Sequence, residues 1–112
     1  MKDDRIYLDH IEECLKWIED HLAGGKETFF ADRKTQSAVI RELQTLAEST
    51  QRLSSKIKKS HPEVSWDGIA GFRNVLVHDY LGVNLDRVWK IIENDLPAFR
   101  TAINSIRKEL DN

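Results

Sequence analysis

The sequence has 112 residues but only one cysteine, two prolines and five glycines. A lone cysteine, Cys14, excludes an internal disulfide, and the cysteine–histidine spacing of a zinc site is absent. No apolar run approaches the ~20 residues that span a membrane. The charged start MKDDRIYLDH does not resemble a signal peptide. We therefore expect a cytoplasmic protein whose fold depends on neither disulfides nor zinc.

A strong excess of one charge is also missing, since the formal net charge is −2. Proteins that coat nucleic acid through bulk charge usually carry a large basic excess. Any chemistry on nucleic acid would therefore need a local site. The length suits one domain, residues 1–112. Because so small a domain buries a limited share of its surface, we expect a partner or a dimer.

Alternation of apolar and polar residues with period two is absent, so we predict no strands. Apolar residues recur instead at three- and four-residue steps, as in helices. The first helix is predicted from about Asp3 to Leu22, with Cys14 as a core thiol, and the second from about Arg33 to Lys59. Between them, AGGKETFFAD is predicted to be a loop whose Phe29 and Phe30 fold back onto the core.

The second half of the sequence predicts further helices. Ser65 can cap a third helix that ends at residue 80 or 82, and Asn84 can cap the last segment. Pro97 interrupts that segment, so we expect either a second helix capped by Asp95 or one sharply bent helix. Four to five helices joined by short connections predict an all-α, antiparallel four- to five-helix bundle.

A basic cluster occupies the last two turns of the predicted second helix. Positive charge there opposes the negative end of the helix dipole. The alternative is a patch that contacts phosphate groups. The cluster consists of Arg52, Lys56, Lys58 and Lys59.

The segment GFRNVLVHDY combines an apolar stripe with several polar residues. On a helical wheel at about 100° per residue, Asn74 and His78 are neighbours on one face, and Arg73 stands at its edge. Gly71 shares that face. Because glycine inside a helix costs about 1 kcal/mol relative to alanine, we expect another backbone or a ligand to approach there. The core stripe is Ile69, Phe72, Val75 and Leu76.

This polar face suggests chemistry on phosphodiesters. Arg73 carries a permanent, fork-shaped charge for phosphate, and His78 can exchange protons near neutral pH. Asn74 can orient either one. Together they supply the charge stabilisation and proton transfer that phosphodiester cleavage needs without a metal. None of the four histidines shows the spacing of metal ligands, and we expect no metal or cofactor.

RNVLVHDY resembles the Arg-x4-His-x-Tyr motif of the HepT-like toxins, which belong to the HEPN superfamily. Three blocks of the sequence resemble successive blocks of that family in the same order. They are AVIRELQTLAESTQRLS, HPEVSWDGIAGFRNVLVHDY and VNLDRVWKIIENDLPAFRTAI. The resemblance implies an all-α bundle that forms a homodimer and joins the motifs of two subunits in one cleft.

The resemblance also implies a metal-independent endoribonuclease that acts as the toxin of a type II toxin–antitoxin system. Its partner would be an MNT-type nucleotidyltransferase antitoxin, which transfers AMP to the motif tyrosine and so inhibits the toxin. Residue by residue, Arg73 and His78 would be catalytic, Asn74 supporting and Tyr80 the site of AMPylation. Glu48 falls where the family often has an acidic residue.

We expect such an enzyme to cleave RNA through attack of a ribose 2′-hydroxyl on the adjacent phosphorus. Arg73 and His78 lie about 140° apart on an ideal helix, so we expect the site to need two subunits. Two alternatives stay open. The chain could be a non-catalytic subunit that binds a nucleotide or the nucleotidyltransferase, or a plain structural dimer in which this face is the interface.

Overall fold

The computed structural model describes the backbone of residues 4–77 and 84–112, and the side chains of residues 4–72 and 84–112. Within these ranges the ordered elements are all helical, which confirms the predicted all-α fold. The helices are α1 (Asp4–His21), α2 (Gly25–Ala31), α3 (Arg33–Gln51), α4 (Ser55–Ser60), α5 (Trp66–Val77), α6 (Leu85–Lys90) and α7 (Leu96–Asp111). A π-helical turn, Ile91–Asp95, joins α6 to α7.

Helix α1 packs between α3 and α7, and both neighbours run antiparallel to it. The Asp4 carboxylate, at the start of α1, accepts a hydrogen bond of 2.8 Å from the backbone N–H of Ser54, just beyond the end of α3. Arg5 donates to the carbonyl of Leu110, near the end of α7. The antiparallel bundle predicted from short connections is therefore present in the described part of the chain.

The core lies along the facing sides of α1, α3 and α7, with α5 closing it against α3. Each fully buried aliphatic or aromatic side chain contributes about 1.5–3 kcal/mol relative to its exposed state. Cys14 is also buried, as predicted, and burial raises the pKa of its thiol to about 12. The fully buried large side chains are Leu8, Ile11, Ile18, Phe29, Val39, Leu43, Leu46, Val88, Leu96, Phe99, Ile103 and Ile106.

The connection between α1 and α3 was predicted as a loop, and that prediction is wrong because it contains the seven-residue helix α2. Gly25 opens α2 with a positive φ of 85°, a conformation that favours glycine. The predicted contact with the core is confirmed for Phe29, which is fully buried. The rings of Phe29 and Phe30 pack on Trp89, with centroids 5.4 and 6.1 Å away.

The prediction of a single second helix that reaches Lys59 is also wrong, since the helix is interrupted between α3 and α4. Ser54 adopts an extended conformation, and its side chain accepts a hydrogen bond from the N–H of Ile57, which caps α4. Leu53 stays buried at the break. The apolar periodicity therefore continues across a position where the backbone does not remain helical.

Two predicted helix starts agree with the structure. The Ser65 carbonyl accepts a hydrogen bond from the N–H of Ile69 at the start of α5. The Asn84 side chain accepts from the N–H of Arg87 at 3.2 Å and caps α6. The predicted end of the third helix, at residue 80 or 82, lies outside the described residues.

The last segment is divided into α6 and α7, as one of the two predictions had it, but the side chain of Asp95 does not cap the second helix. Asp95 keeps a helical backbone and makes no cap hydrogen bond with its side chain, so the predicted cap is wrong. The chain instead widens into the π turn, where the N–H of Leu96 bonds to the carbonyl of Ile91, five residues earlier. Pro97 then falls in the first turn of α7, where its missing N–H costs least.

Candidate active site on helix α5

Helix α5 carries the first half of the predicted motif, and its amino-terminal half is anchored in the bundle. Ile69 and Phe72 are buried against the core, and α5 packs along α3. At its start, the Trp66 indole N–H donates to the carbonyls of Lys58 and His61, each at 3.0 Å. These contacts hold the helix that presents the candidate residues.

The backbones of Arg73 and Asn74 lie within α5, immediately after the buried Phe72. Their side chains are not among the described side chains, and His78 and Tyr80 lie outside the described residues. The structure therefore places the arginine and the asparagine on one anchored helix. The spatial relation of the arginine to the histidine and the tyrosine stays a prediction.

The space beside Gly71 is open in the described part of the chain. A Cβ atom added at Gly71 would meet no atom within 4 Å. The expected close approach of another backbone is therefore absent within the described residues of this chain. An approach by a ligand or a second subunit remains the expectation for this position.

A groove of about 590 Å³ lies at the start of α5, and sequence reasoning did not identify it. It combines basic, hydroxyl and aromatic side chains. The sequence signal was the basic cluster, two of whose residues line the groove. Its lining residues are Ser55, Lys58, Lys59, Pro62, Val64, Ser65, Trp66 and Asp67.

One of the two roles predicted for the basic cluster, a cation at a helix carboxyl end, is observed for Lys58, and contact with phosphate groups stays a prediction. Lys58 and Lys59 lie in the last turn of α4 and not at the end of one long helix. The Lys58 ammonium donates to the carbonyl of Gln51, the last residue of α3, at 3.1 Å, as expected for a cation at a helix carboxyl end. Arg52 lies near Glu48, at 3.7 Å, with both side chains more than half exposed. In the described structure, Glu48 is thus placed in a surface ion pair.

His61, to which the sequence assigned no role, is buried between two carboxylates. Its Nδ1 lies 3.1 Å from Glu63 and its Nε2 lies 3.1 Å from Glu109. Burial by itself lowers the pKa of His61, but the contacts with the two carboxylates outweigh burial and raise the pKa above its ordinary value. This histidine is therefore a structural contact between α7 and the segment before α5.

The described residues contain no group of three or more His, Cys, Asp or Glu side chains placed to hold a metal ion. Among these residues, no helix has both the length and the apolar character needed to cross a membrane.

Comparison with known proteins identifies relatives along almost the whole chain. The family described as "Ribonuclease HepT-like" matches residues 11–106. The "Probable ribonuclease HepT" of Thermococcus cleftensis is 35% identical over 108 residues, which cover 96% of this chain and 98% of that protein. A protein of Methanocaldococcus jannaschii named "Putative RNase" is 35% identical over 111 residues, which cover 98% of this chain and 92% of that protein.

A more distant relative is the "mRNA nuclease HepT" of Shewanella oneidensis. It is 27% identical over 123 aligned positions, which cover 88% of this chain and 92% of that protein. No solved structure matches the chain. The family match includes the whole of GFRNVLVHDY, and the helical fold agrees with the resemblance found from that motif. The chain belongs to the HepT-like ribonuclease family.

Proposed function

We propose that this protein is an endoribonuclease that acts as the toxin of a type II toxin–antitoxin system. The observation that carries the proposal is the family match over residues 11–106, which includes Arg73, His78 and Tyr80. Relatives that align over nearly their full length are named as ribonucleases, one of them an mRNA nuclease. The placement of Arg73 and Asn74 on the anchored helix α5 supports a site on that helix.

The proposed reaction is cleavage within an RNA strand without a metal ion. The ribose 2′-oxygen forms a bond to the adjacent phosphorus while the bond from phosphorus to the 5′-oxygen breaks. The products are a 2′,3′-cyclic phosphate and a 5′-hydroxyl. Arg73 stabilises the extra negative charge on the phosphorane, and His78 transfers a proton to the leaving oxygen or from the attacking one. Asn74 orients these groups.

The proposed site is shared by two subunits. Arg73 and His78 lie about 140° apart on an ideal helix, which is awkward for one active site within one chain. A twofold axis would bring a second copy of each residue to the same cleft. The open space beside Gly71 leaves room for such an approach.

Regulation is proposed to act on Tyr80, with an MNT-type nucleotidyltransferase as the antitoxin. The tyrosine oxygen would attack the α-phosphorus of ATP, and pyrophosphate would leave. On a continuing helix, Tyr80 would lie within about 20° of Arg73. The added phosphate would then place bulk and negative charge beside the arginine and block the phosphate of a substrate.

The test is cleavage of single-stranded RNA in excess chelator, with analysis of the product ends. Wild-type protein should produce 2′,3′-cyclic phosphate and 5′-hydroxyl ends, and Arg73→Ala or His78→Ala should abolish cleavage while helicity is kept. Arg33→Ala and His10→Ala are matched controls because both side chains are exposed and distant in sequence from the motif.

Loss of cleavage in chelator, or 5′-phosphate ends, would show that the proposed chemistry is wrong. Protein that binds ATP or its nucleotidyltransferase partner but never cuts RNA would instead favour the non-catalytic subunit.

A further inference from the structure

The groove at the start of α5 lies in the most basic part of a chain whose net charge is −2. Residues 51–62 contain four lysines or arginines and no aspartate or glutamate. Positive charge concentrated on one surface of an otherwise acidic protein attracts polyanions to that surface. The function proposed above uses residues 73–80 and leaves this surface without a role.

Two ammonium groups reach this groove without a carboxylate partner. Lys58 and Lys59 both line it, and neither forms an ion pair within the described part of the chain. The hydrogen bond from Lys58 to the Gln51 carbonyl uses one of its three donors. Both lysines therefore keep donors for phosphate oxygens. Asp67 is the one carboxylate among the lining residues.

An aromatic ring lies in the same groove. Trp66 is half-buried, and its N–H is held by the carbonyls of Lys58 and His61. Its ring also packs edge-on against Phe99, with centroids 6.2 Å apart. A fixed ring beside flexible cations is the combination that binds single-stranded nucleic acid, because bases stack on the ring while the cations follow the backbone.

The groove lies beside the start of the helix that carries Arg73. Trp66 and Arg73 are seven residues apart on α5, so their positions lie within about 20° on the helix and about 10 Å apart along its axis. At a rise of about 3.4 Å per nucleotide, this separation corresponds to about three nucleotides of a stacked strand. If an RNA strand is cleaved beside Arg73, nucleotides about three positions from the cleaved bond would thus reach the groove.

We propose that the groove formed by Lys58, Lys59 and Trp66 binds the single-stranded RNA substrate about three nucleotides from the cleaved bond. The lysines contact phosphates, and the indole stacks on a base. This inference rests on the proposed ribonuclease function, but it concerns binding and can be measured without cleavage.

The experiment measures the affinity of full-length protein for a single-stranded 2′-O-methyl RNA, which has no free 2′-hydroxyl to react. Lys58→Gln/Lys59→Gln should weaken binding about tenfold and reduce the slope of log affinity against log salt by about 1.4, about 0.7 for each lost phosphate contact. Lys16→Gln/Lys34→Gln removes the same charge from exposed positions on α1 and α3 and should change affinity less than twofold.

A substitution that removes a negative charge from the groove should have the opposite effect on affinity. Asp67→Asn removes the carboxylate from the groove and should tighten binding about two- to threefold. Circular dichroism of each variant confirms that the helices are intact.

Equal losses in the two lysine pairs would overturn the proposal, because bulk charge would then explain binding. Unchanged affinity in Lys58→Gln/Lys59→Gln would overturn it as well, even if RNA is cleaved normally. Binding that depends on the groove lysines in a protein that never cleaves RNA would support the groove and contradict the proposed reaction.

Discussion

The Nε2 atom of His61 lies 3.1 Å from a carboxylate oxygen of Glu109, and this contact joins the segment before α5 to the last turns of α7. On its other side the ring contacts Glu63 through Nδ1. A buried ring between two acids favours the protonated imidazole, and the folded-state pKa is accordingly raised. The stability of the protein should therefore depend on the charge of one histidine.

The first prediction concerns pH. Below about 6.5, the usual pKa of histidine, His61 is protonated in both the folded and unfolded states, and its contribution to stability is fully present. As pH rises through the raised folded-state pKa, that contribution is lost. The free energy of unfolding from urea titrations should therefore fall above about pH 6.5.

His61→Gln should remove this fall, because glutamine does not titrate. His10→Gln is the control, since His10 is exposed on α1, and it should keep the wild-type pH profile. A constant difference between wild type and His61→Gln across the pH range would contradict the prediction.

The second prediction concerns the ion-pair network between α1 and α7. Arg107 donates to both carboxylate oxygens of Glu12, at distances of 2.6 to 3.2 Å, and to Asp9. Arg107→Ala should lower the free energy of unfolding by about 1–2 kcal/mol, because hydrogen bonds to charged groups contribute about 1.5–3 kcal/mol and Asp9 is largely exposed.

Urea titration measures the effect of Arg107→Ala, and Lys108→Ala, at an exposed neighbouring position, should stay within about 0.5 kcal/mol of wild type. At about 1 M salt the loss in Arg107→Ala should shrink, since the Debye length falls to about 3 Å. A loss that does not respond to salt would assign the effect to packing of the side chain.

The third prediction uses the two glycines of α5. Gly71→Ala should raise the free energy of unfolding by about 0.5–1 kcal/mol, because alanine favours helix and the added Cβ meets no atom of the described residues within 4 Å. Gly68→Ala should gain less, since its Cβ would lie 2.5 Å from the Ser65 hydroxyl, which must rotate away.

In Gly71→Ala, the free energy of unfolding and the rate of RNA cleavage are expected to change in different directions. If a substrate approaches this glycine, the variant is more stable and less active, whereas an approach by a second subunit would make the variant dimerise less. A variant that is more stable and fully active would show that nothing in the active protein approaches Gly71.

The fourth prediction tests the shared site by mixing inactive proteins. If Arg73 of one subunit acts with His78 of the other, a mixed dimer of Arg73→Ala and His78→Ala contains one intact site. Co-refolding the two variants should then restore about a quarter of the wild-type cleavage rate: random pairing makes half of the dimers mixed, and each has one of its two sites intact. No recovery, with mixed dimers confirmed by native mass spectrometry, would place both groups in the same subunit.

The fifth prediction concerns AMPylation. Co-expression with an MNT-type nucleotidyltransferase, the proposed antitoxin, should increase the intact mass by one or more AMP units. Tyr80→Phe should abolish the increase, and Tyr7→Phe, which changes the chain's other tyrosine, should retain it. Loss of the increase in Tyr7→Phe alone would move the modified residue to α1.

Much of the fold followed from helical periodicity, because long amphipathic helices repeat their apolar residues over many turns. The first helix was placed within a residue at its carboxyl end, while its predicted start at Asp3 lies outside the described residues, and Asn84 was recognised as a cap. The errors arose in short elements. Helix α2 has too few residues for a helical period to be recognised. The helix is interrupted at Ser54, but the spacing of the apolar residues continues from α3 into α4 and so does not reveal the interruption.

By itself, the sequence determined the helical fold and the family, because periodicity and the spacing of Arg73, His78 and Tyr80 are local properties of the chain. Only the tertiary structure decided which distant residues meet. The pairing of His61 with Glu109, 48 residues apart, and the groove between α4 and α5 depend on how helices pack, and packing joins residues whose separation in sequence carries no period.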